Sequence, residues 1–508
     1  MIRLGSRAGV LAALGALLVV VAPAVPAAAG PAVAQGDVPV TATNLVTKVA
    51  NTSPAIAVDP TEKRFMAVAH RVDGPDFGCG LAVSGDGGHG WIPAYPVPKL
   101  PKGADKCYAP EVAFDAGGNL YYLFVGLAGE GNSPMGAFLV MSANKGANFS
   151  APRRVLGPER YMVRMAIDAT MGRHGRIHMV WLEARAHPPL GGLPAPPNPI
   201  MAAHSDDGGV TFSDPVQVSD PGRRLAVAPA LALGPDHAVH VSYYDLGDDV
   251  RDYQGLEGPT WEGRWSLVLA TSTDAGAHFT RTTVVDADIV PTERVMLIFT
   301  MPPASLVADL AGNVYAAWTD DRNGDWDVLV RHSADGGATW GPAKRVNDDP
   351  KGDGLHQFLP RLAVAPDGRL DAVFYDRRGN VENRGNDVFY TYSTDRAASF
   401  APNMKLTAID SDSLVGYQYG VASAQGLHEW GSRLGLVALP NKAVAAWTDA
   451  RNSGRTLLAQ DIFSAEVDLG PEPAQGRSWI SIASVALALG GLALAGAARV
   501  RRRRGDAA

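Results

Sequence analysis

The chain has 508 residues, 19% of them charged, a formal net charge of −7, and high counts of glycine (56) and proline (37). A chain this long requires one large repeat domain or several domains, and this much glycine and proline requires many turns. The body of the sequence carries no basic patch of the size a phosphate backbone demands, so nucleic acid is excluded from the expected partners.

Residues 1–34 read as a secretory signal peptide. Arg3 and Arg7 precede an apolar run over 10–25, and Ala32-Val33-Ala34 offers a cleavage site before Gln35. Two cysteines follow, Cys79 and Cys107. An oxidising location permits a disulfide between them, with two free buried thiols as the alternative. Both are predicted to fall in loops on one face, where a disulfide would brace the rim.

From residue 84 onward one short pattern returns about every 60 residues, the signature of a repeat architecture. Its six copies begin at Ser84, Ser142, Ser205, Ser272, Ser333 and Ser393; the fifth reads Ser333-Ala334-Asp335-Gly336-Gly337-Ala338-Thr339-Trp340, and the second and sixth are degraded. Such a sequence makes a tight turn: Ser and Asp side chains bond backbone groups, Gly supplies positive φ, and the aromatic packs back. Strand-like runs surround each copy, for example 360–364, 370–375, 387–392 and 404–408 around the sixth. Four strands per unit is a propeller blade. After the last copy, 433–439, 443–448 and 458–467 read as a seventh unit without a turn motif or a fourth strand. Residues 44–49, similar to 343–347, are predicted to supply that strand and close the ring, leaving no open edge.

The expected fold is therefore an all-β, seven-bladed β-propeller over 35–469, followed by a linker over 470–478. The apolar run 479–498 has the length of one transmembrane helix. Arg499 and Arg501 to Arg504 mark 499–508 as a basic cytoplasmic tail, with Trp479 suited to the opposite interface. Residues 469–473 do not match a wall-sorting motif, so the segment reads as a retained single-pass anchor with the propeller extracellular.

The repeated turn resembles the Asp-box (BNR repeat), S-x-D-x-G-x-T-W/F, of sialidases and related propellers. A closer resemblance, over 44–468, is to bacterial Asp-box repeat proteins whose second strands end W-T-D-x-R-N-G, as at 318–324 and 447–454 here. The resemblance implies that the turns are structural and that ligands bind on the opposite face, at the mouth of the central channel. The residue after the Pro position of each inner strand should face that mouth: Ala55, Glu111, Arg164, Ala230, Ala304, Arg361 and Arg433. Sialidases hold a sialic-acid carboxylate with three arginines, and Arg164, Arg361 and Arg433, with Glu111, are the matching ligand-binding candidates. The alternative is structural. Second strands end in an acidic-x-Arg motif (Glu183-Ala184-Arg185, Asp320-Asp321-Arg322, Asp376-Arg377-Arg378, Asp449-Ala450-Arg451), so Arg164–Glu183, Arg361–Asp376 and Arg433–Asp449 pairs within blades would also satisfy the pattern.

The chain also departs from sialidases, which have six blades and an Arg-Ile-Pro motif where Asn51-Thr52-Ser53-Pro54 stands here. Their nucleophile is a tyrosine paired with a glutamate. Tyr108, Tyr161, Tyr417 and Tyr419 lie near Glu111, Glu159 or Glu429 in sequence, and no pair is singled out. If the chain is an exo-sialidase-like glycoside hydrolase at all, Glu111 with Asp376 or Glu429 would be its carboxylates. Long insertions gather on the same face: 185–199, 246–264 with Tyr253 and Trp261, and 409–430 with His428 and Trp430. Calcium is hinted at by Asn347, Asp348, Asp349, Asp353, Asp325 and Asp327, for which solvated turns are the alternative; no other cofactor is expected, and the histidines show no zinc spacing. Two functions remain open: a membrane-anchored surface protein that binds or hydrolyses glycans, and a non-catalytic propeller that binds a protein or polymer through its long loops.

Overall fold

The computed structural model of the chain describes residues 32–470 apart from 42–48, 74–75, 94–98, 131, 173, 185–195, 250–260, 293–301, 417–429 and 454–458. The apolar runs 10–25 and 479–498 lie outside the described residues, and no helix among those described is long and apolar enough to cross a membrane.

The described strands form seven antiparallel sheets, six of them ordered outward from the axis in chain order. Their inner strands are Asn51–Val58, Lys106–Phe114, Arg160–Asp168, Ala226–Leu233, Ser305–Ala308, Gln357–Val364 and Gly435–Leu439. Each inner strand touches the next and the seventh touches the first, so the blades close around one axis. The second strands sit between neighbouring blades and are covered on both sides. They are therefore near-continuous apolar runs rather than alternating ones, as in Leu120–Ala128 and Leu370–Asp376, and they carry the fully buried Trp181, Trp318 and Trp447.

The six Ser-x-Asp/Asn turns share one bonding scheme. In the fifth, Ser333 Oγ donates to Asp335 Oδ1 (2.7 Å) and accepts from Gly337 N (2.8 Å), while Asp335 Oδ1 accepts from Thr339 N (2.9 Å). Gly337 sits at φ +82°, and a Cβ there would lie 2.3 Å from Leu269 Cδ2 of the preceding blade. Both the left-handed backbone and the close approach require glycine. The sixth, degraded copy places Ala397 at φ 61° in the equivalent position. The turn aromatics reach backward: Trp91 Nε1 donates to Ser464 Oγ (2.9 Å) and Trp340 Nε1 to Thr283 Oγ1 (3.3 Å), each on the preceding blade.

An N-terminal segment closes the ring, as the open seventh unit required, but it is not the stretch chosen from the sequence. Val33–Ala34 and Val38–Pro39 pair with Asp461–Asp468, the third strand of blade seven. Of 44–49 only Val49 is described, and its carbonyl accepts from Gln460 N (3.1 Å). The upstream segment wins because it carries a core residue and an ion pair. Val40 is buried beside Val68, Ala446 and Ile462, and Asp37 Oδ2 accepts from Arg451 Nη2 (2.7 Å) and Ala408 N (2.9 Å). Cys79 and Cys107 are joined in a disulfide with their Cα atoms 5.8 Å apart. They lie on strands rather than loops, in Gly78–Ser84 of blade one and Lys106–Phe114 of blade two, so the bond ties two blades together.

Candidate functional site: an arginine-lined axial cavity

A backbone irregularity repeated in five inner strands builds the site. Between Tyr108 and Glu111 the inner strand of blade two advances three residues while its partner advances two, from Val125 to Leu123. The same bulge separates Thr52 from Ala55, Tyr161 from Arg164, Val227 from Ala230, and Phe358 from Arg361. Each contains a non-glycine residue in the left-handed region: Ser53 (φ 53°), Ala109 (50°), Met162 (52°), Ala228 (52°) and Leu359 (52°). Such residues cost on the order of 1–2 kcal/mol each and persist where the surroundings hold them. An extra residue changes which side chains face inward, and here every bulge ends immediately before a residue that lines the axis. The prolines at 54, 110, 229 and 360 were its signal in the sequence, since proline is tolerated in a strand at a bulge.

Six of the seven aligned positions line one axial cavity of about 500 Å³, counting the solvent it opens onto: Ala55, Glu111, Arg164, Ala230, Arg361 and Arg433. In blade five Ala304 is buried and Pro303 takes the lining position instead. Going round the ring, blades two, three, six and seven give charged groups, while blades four and five give an apolar arc of Ala230, Leu231, Pro303 and Leu306.

None of the three ion pairs proposed within blades forms. Instead, Glu111 Oε1 accepts from Arg164 Nη1 (2.8 Å) and from Arg433 Nη1, across blades. Arg433 is fully engaged: its Nε also donates to Ser53 O (3.2 Å) and its Nη2 to Pro110 O (2.5 Å). It braces blades seven, one and two together, with each of its three nitrogens donating to the protein. Arg361 differs. It makes no hydrogen bond or ion pair among the described residues, and its Nε is buried without a partner, as is Nε of Arg164. Burial pulls Arg361 below the usual guanidinium range, with Glu111 opposing and Arg164 adding to the shift. Burial likewise draws Arg433 down to about 10 against the pull of Glu111. Burial alone would raise the Glu111 carboxyl, but Arg433 and Arg164 outweigh it and hold the group below its ordinary value. Among the described residues three guanidinium groups thus face one carboxylate in the cavity, a surplus of two positive charges.

The arginines of three acidic-x-Arg endings join their own acidic residue to a second aspartate on an outer strand or the segment beside it. Arg322 Nη2 donates to Asp320 Oδ2 (2.6 Å) and to Asp286 Oδ1 (3.0 Å) on the outer strand of blade four. Arg378 joins Asp376 (2.7 Å) to Asp348, and Arg451 joins Asp449 (2.6 Å) to Asp37. Asp376 is therefore buried away from the cavity lining. Its carboxyl is raised by burial against the pull of Arg378. Glu183 pairs with Arg160 (3.3 Å), and Arg185 lies outside the described residues.

Tyr161 donates to Glu159 Oε2 (2.6 Å), the tyrosine–glutamate pairing the sialidase resemblance calls for, but Tyr161 is buried off the cavity, and burial raises its phenol. Tyr108 is also buried and accepts from Arg71 Nη1 (2.7 Å). Glu429, Tyr253, Tyr417, Tyr419 and His428 lie outside the described residues. Of the residues that hinted at calcium, Asp327 is bonded by Arg345 and Asn347, and Arg378 reaches Asp348 and Asp349, while Asp325 and Asp353 accept only from backbone N–H groups and Asp325 Oδ1 and Asp349 Oδ2 are buried without a hydrogen bond among the described residues. Among the described residues no three His, Cys, Asp or Glu converge as a metal site.

No protein-family model matches the chain, and no curated protein matches it. Among solved structures it is similar to a Dyadobacter fermentans protein of unknown function (14% identity, 86% of this chain and 99% of that one, TM-score 0.45). It is similar also to the endosialidase of phage phi92 (12% identity, 87% and 70%, TM-score 0.44) and to an ulvan lyase of a polysaccharide-lyase family (13% identity, 82% and 94%, TM-score 0.46). At these identities and scores the likeness says nothing of activity.

Proposed function

We propose that this chain is a glycan-binding propeller that takes the carboxylate of an acidic sugar into its axial cavity, between Arg361 and Arg164. The observation that carries this reading is that Arg361 lines a cavity with neither a hydrogen bond nor an ion pair among the described residues. Arg361 is half-buried, with its Nε sealed and unpartnered among the described residues, and a carboxylate matches the planar fork of a guanidinium. Binding without hydrolysis is the form of the reading the geometry supports. Among the described residues Glu111 is the one carboxylate on the cavity lining, and two arginines keep it ionised, so it is no proton donor near neutral pH. With the apolar run 10–25 as an export signal and the apolar segment 479–498 as a single-pass anchor, the propeller would lie outside the cell, with the tail 499–508 in the cytoplasm and surface carbohydrate as the partner; because Val33–Ala34 form a strand of blade seven, the cleavage site of this reading lies upstream of Val33 rather than before Gln35.

Calorimetric titration of the purified full-length chain with D-glucuronate and N-acetylneuraminate, and with their methyl esters, tests this. We expect the acids to bind and the esters to fail, and Arg361→Gln to weaken the acids about 10- to 100-fold, the loss of one charge-assisted hydrogen bond. A fluorogenic sialoside should show no turnover. Equal binding of acid and ester would overturn the carboxylate reading, and turnover abolished by Glu111→Gln would overturn the non-catalytic one.

A further inference from the structure

We infer that Glu111 is a specificity-determining residue: it admits a carboxylate only when the ligand also carries a hydrogen-bond donor, such as a sugar hydroxyl, beside it. The inference rests on the carboxylate reading of the same cavity. Its ground is the division of labour between the two oxygens of Glu111. Oε1 takes both arginines, from Arg164 and Arg433, while no hydrogen bond from a described residue reaches Oε2, which is not sealed from the cavity that Glu111 lines. The carboxylate is fixed from two sides and cannot turn away, because Arg433 is itself pinned by the carbonyls of Ser53 and Pro110. An incoming anion placed between Arg361 and Arg164 must therefore come close to a second, permanent negative charge.

Two carboxylates in one low-dielectric site repel strongly. That repulsion is offset only if a donor on the ligand sits between them and bonds Oε2. A bare carboxylate leaves Oε2 unpaired beside its own charge. A hydroxy acid satisfies both groups at once, and sites built around a hydroxyl reject analogues that lack it far more strongly than apolar pockets reject an extra group. The apolar arc of Leu231, Pro303 and Leu306 faces the remaining side and has no polar side chain with which to compensate.

Two probes of matched ring size and charge separate this from the carboxylate reading: D-glucuronate, and cyclohexanecarboxylate, which has the six-membered ring and the carboxylate without hydroxyls. For the full-length wild-type chain we expect glucuronate to bind at least about 10-fold more tightly. In Glu111→Gln the repulsion is gone, so cyclohexanecarboxylate should bind more tightly than to wild type and the ratio should collapse toward unity. Equal affinities in wild type would overturn the inference without any variant, leaving the carboxylate reading standing. An unchanged ratio in Glu111→Gln would overturn it too, because a merely structural Glu111 would shift both probes together. If neither probe binds wild type, the carboxylate reading fails and the inference falls with it.

Discussion

Arg433 and Arg361 occupy equivalent positions in adjacent blades, yet one is a brace and the other is free. The difference comes from neighbours: Arg433 has Glu111, Pro110 O and Ser53 O within reach, because Ala55 between them is too small to intervene, while Arg361 has an apolar arc on its other side. Titration at the residue scale follows the same logic. His70, His178 and His240 are pulled down to about 4 from 6.5, in each case chiefly by burial. A base whose folded pKa is lowered leaves the unfolded chain binding more protons in the window between the two values. Stability is therefore fully present above about pH 6.5 and is lost as the pH falls toward 4, by up to ~1.4 kcal/mol per unit for each imidazole. Glu111 is shifted in the same direction, and as a carboxylate it stays ionised in the folded chain through that window. We expect Tm to fall between pH 7 and 4.5 while glucuronate affinity, measured where the protein is still folded, stays nearly flat. A Tm that does not fall would mean these imidazoles are protonated as easily folded as unfolded.

Single elements carry two further expectations. The disulfide closes a span of 28 residues and joins blades one and two. In the chain-entropy account a loop of that size is worth ~3–4 kcal/mol, so Cys79→Ser with Cys107→Ser should lower the denaturant midpoint without altering the circular-dichroism spectrum. An unchanged midpoint would show that the strands hold these blades unaided. In the fifth turn, Gly337→Ala meets both a left-handed backbone and Leu269 Cδ2 at 2.3 Å. A cost of about 2–3 kcal/mol is expected from strain and overpacking together. The sixth turn, which already has Ala397 at φ 61°, should gain stability from Ala397→Gly, by up to about 1 kcal/mol. The two substitutions thus have opposite signs at equivalent positions, which thermal melts of both variants would check.

At the scale of the whole molecule, the ring is held shut by a segment that contributes only two short strands. Its hold is concentrated in Asp37, whose side chain is 6% exposed and reaches Arg451 of blade seven and Ala408 N of blade six. Removing one member of a buried pair costs roughly 3–5 kcal/mol. In Asp37→Ala, hydrogen exchange should accelerate first in 33–41 and Asp461–Asp468, ahead of the other blades. Uniform acceleration would instead mean that the ring opens as one unit. The blade count, the order of strands and the turn chemistry were legible in the chain itself, because a repeated motif with strand-forming flanks has one architecture that buries every sheet face and pairs every edge but the last. Three things were decided only in three dimensions. One was which N-terminal stretch closes the ring, since a two-residue strand carries no pattern and is chosen by Val40 and Asp37 finding distant partners. Another was the pairing of Glu111 with arginines 53 and 322 residues away in sequence. The last was that Arg361, alike in sequence to its neighbours, makes no ion pair among the described residues, because charge compensation depends on which side chains meet across the axis and not on any single strand.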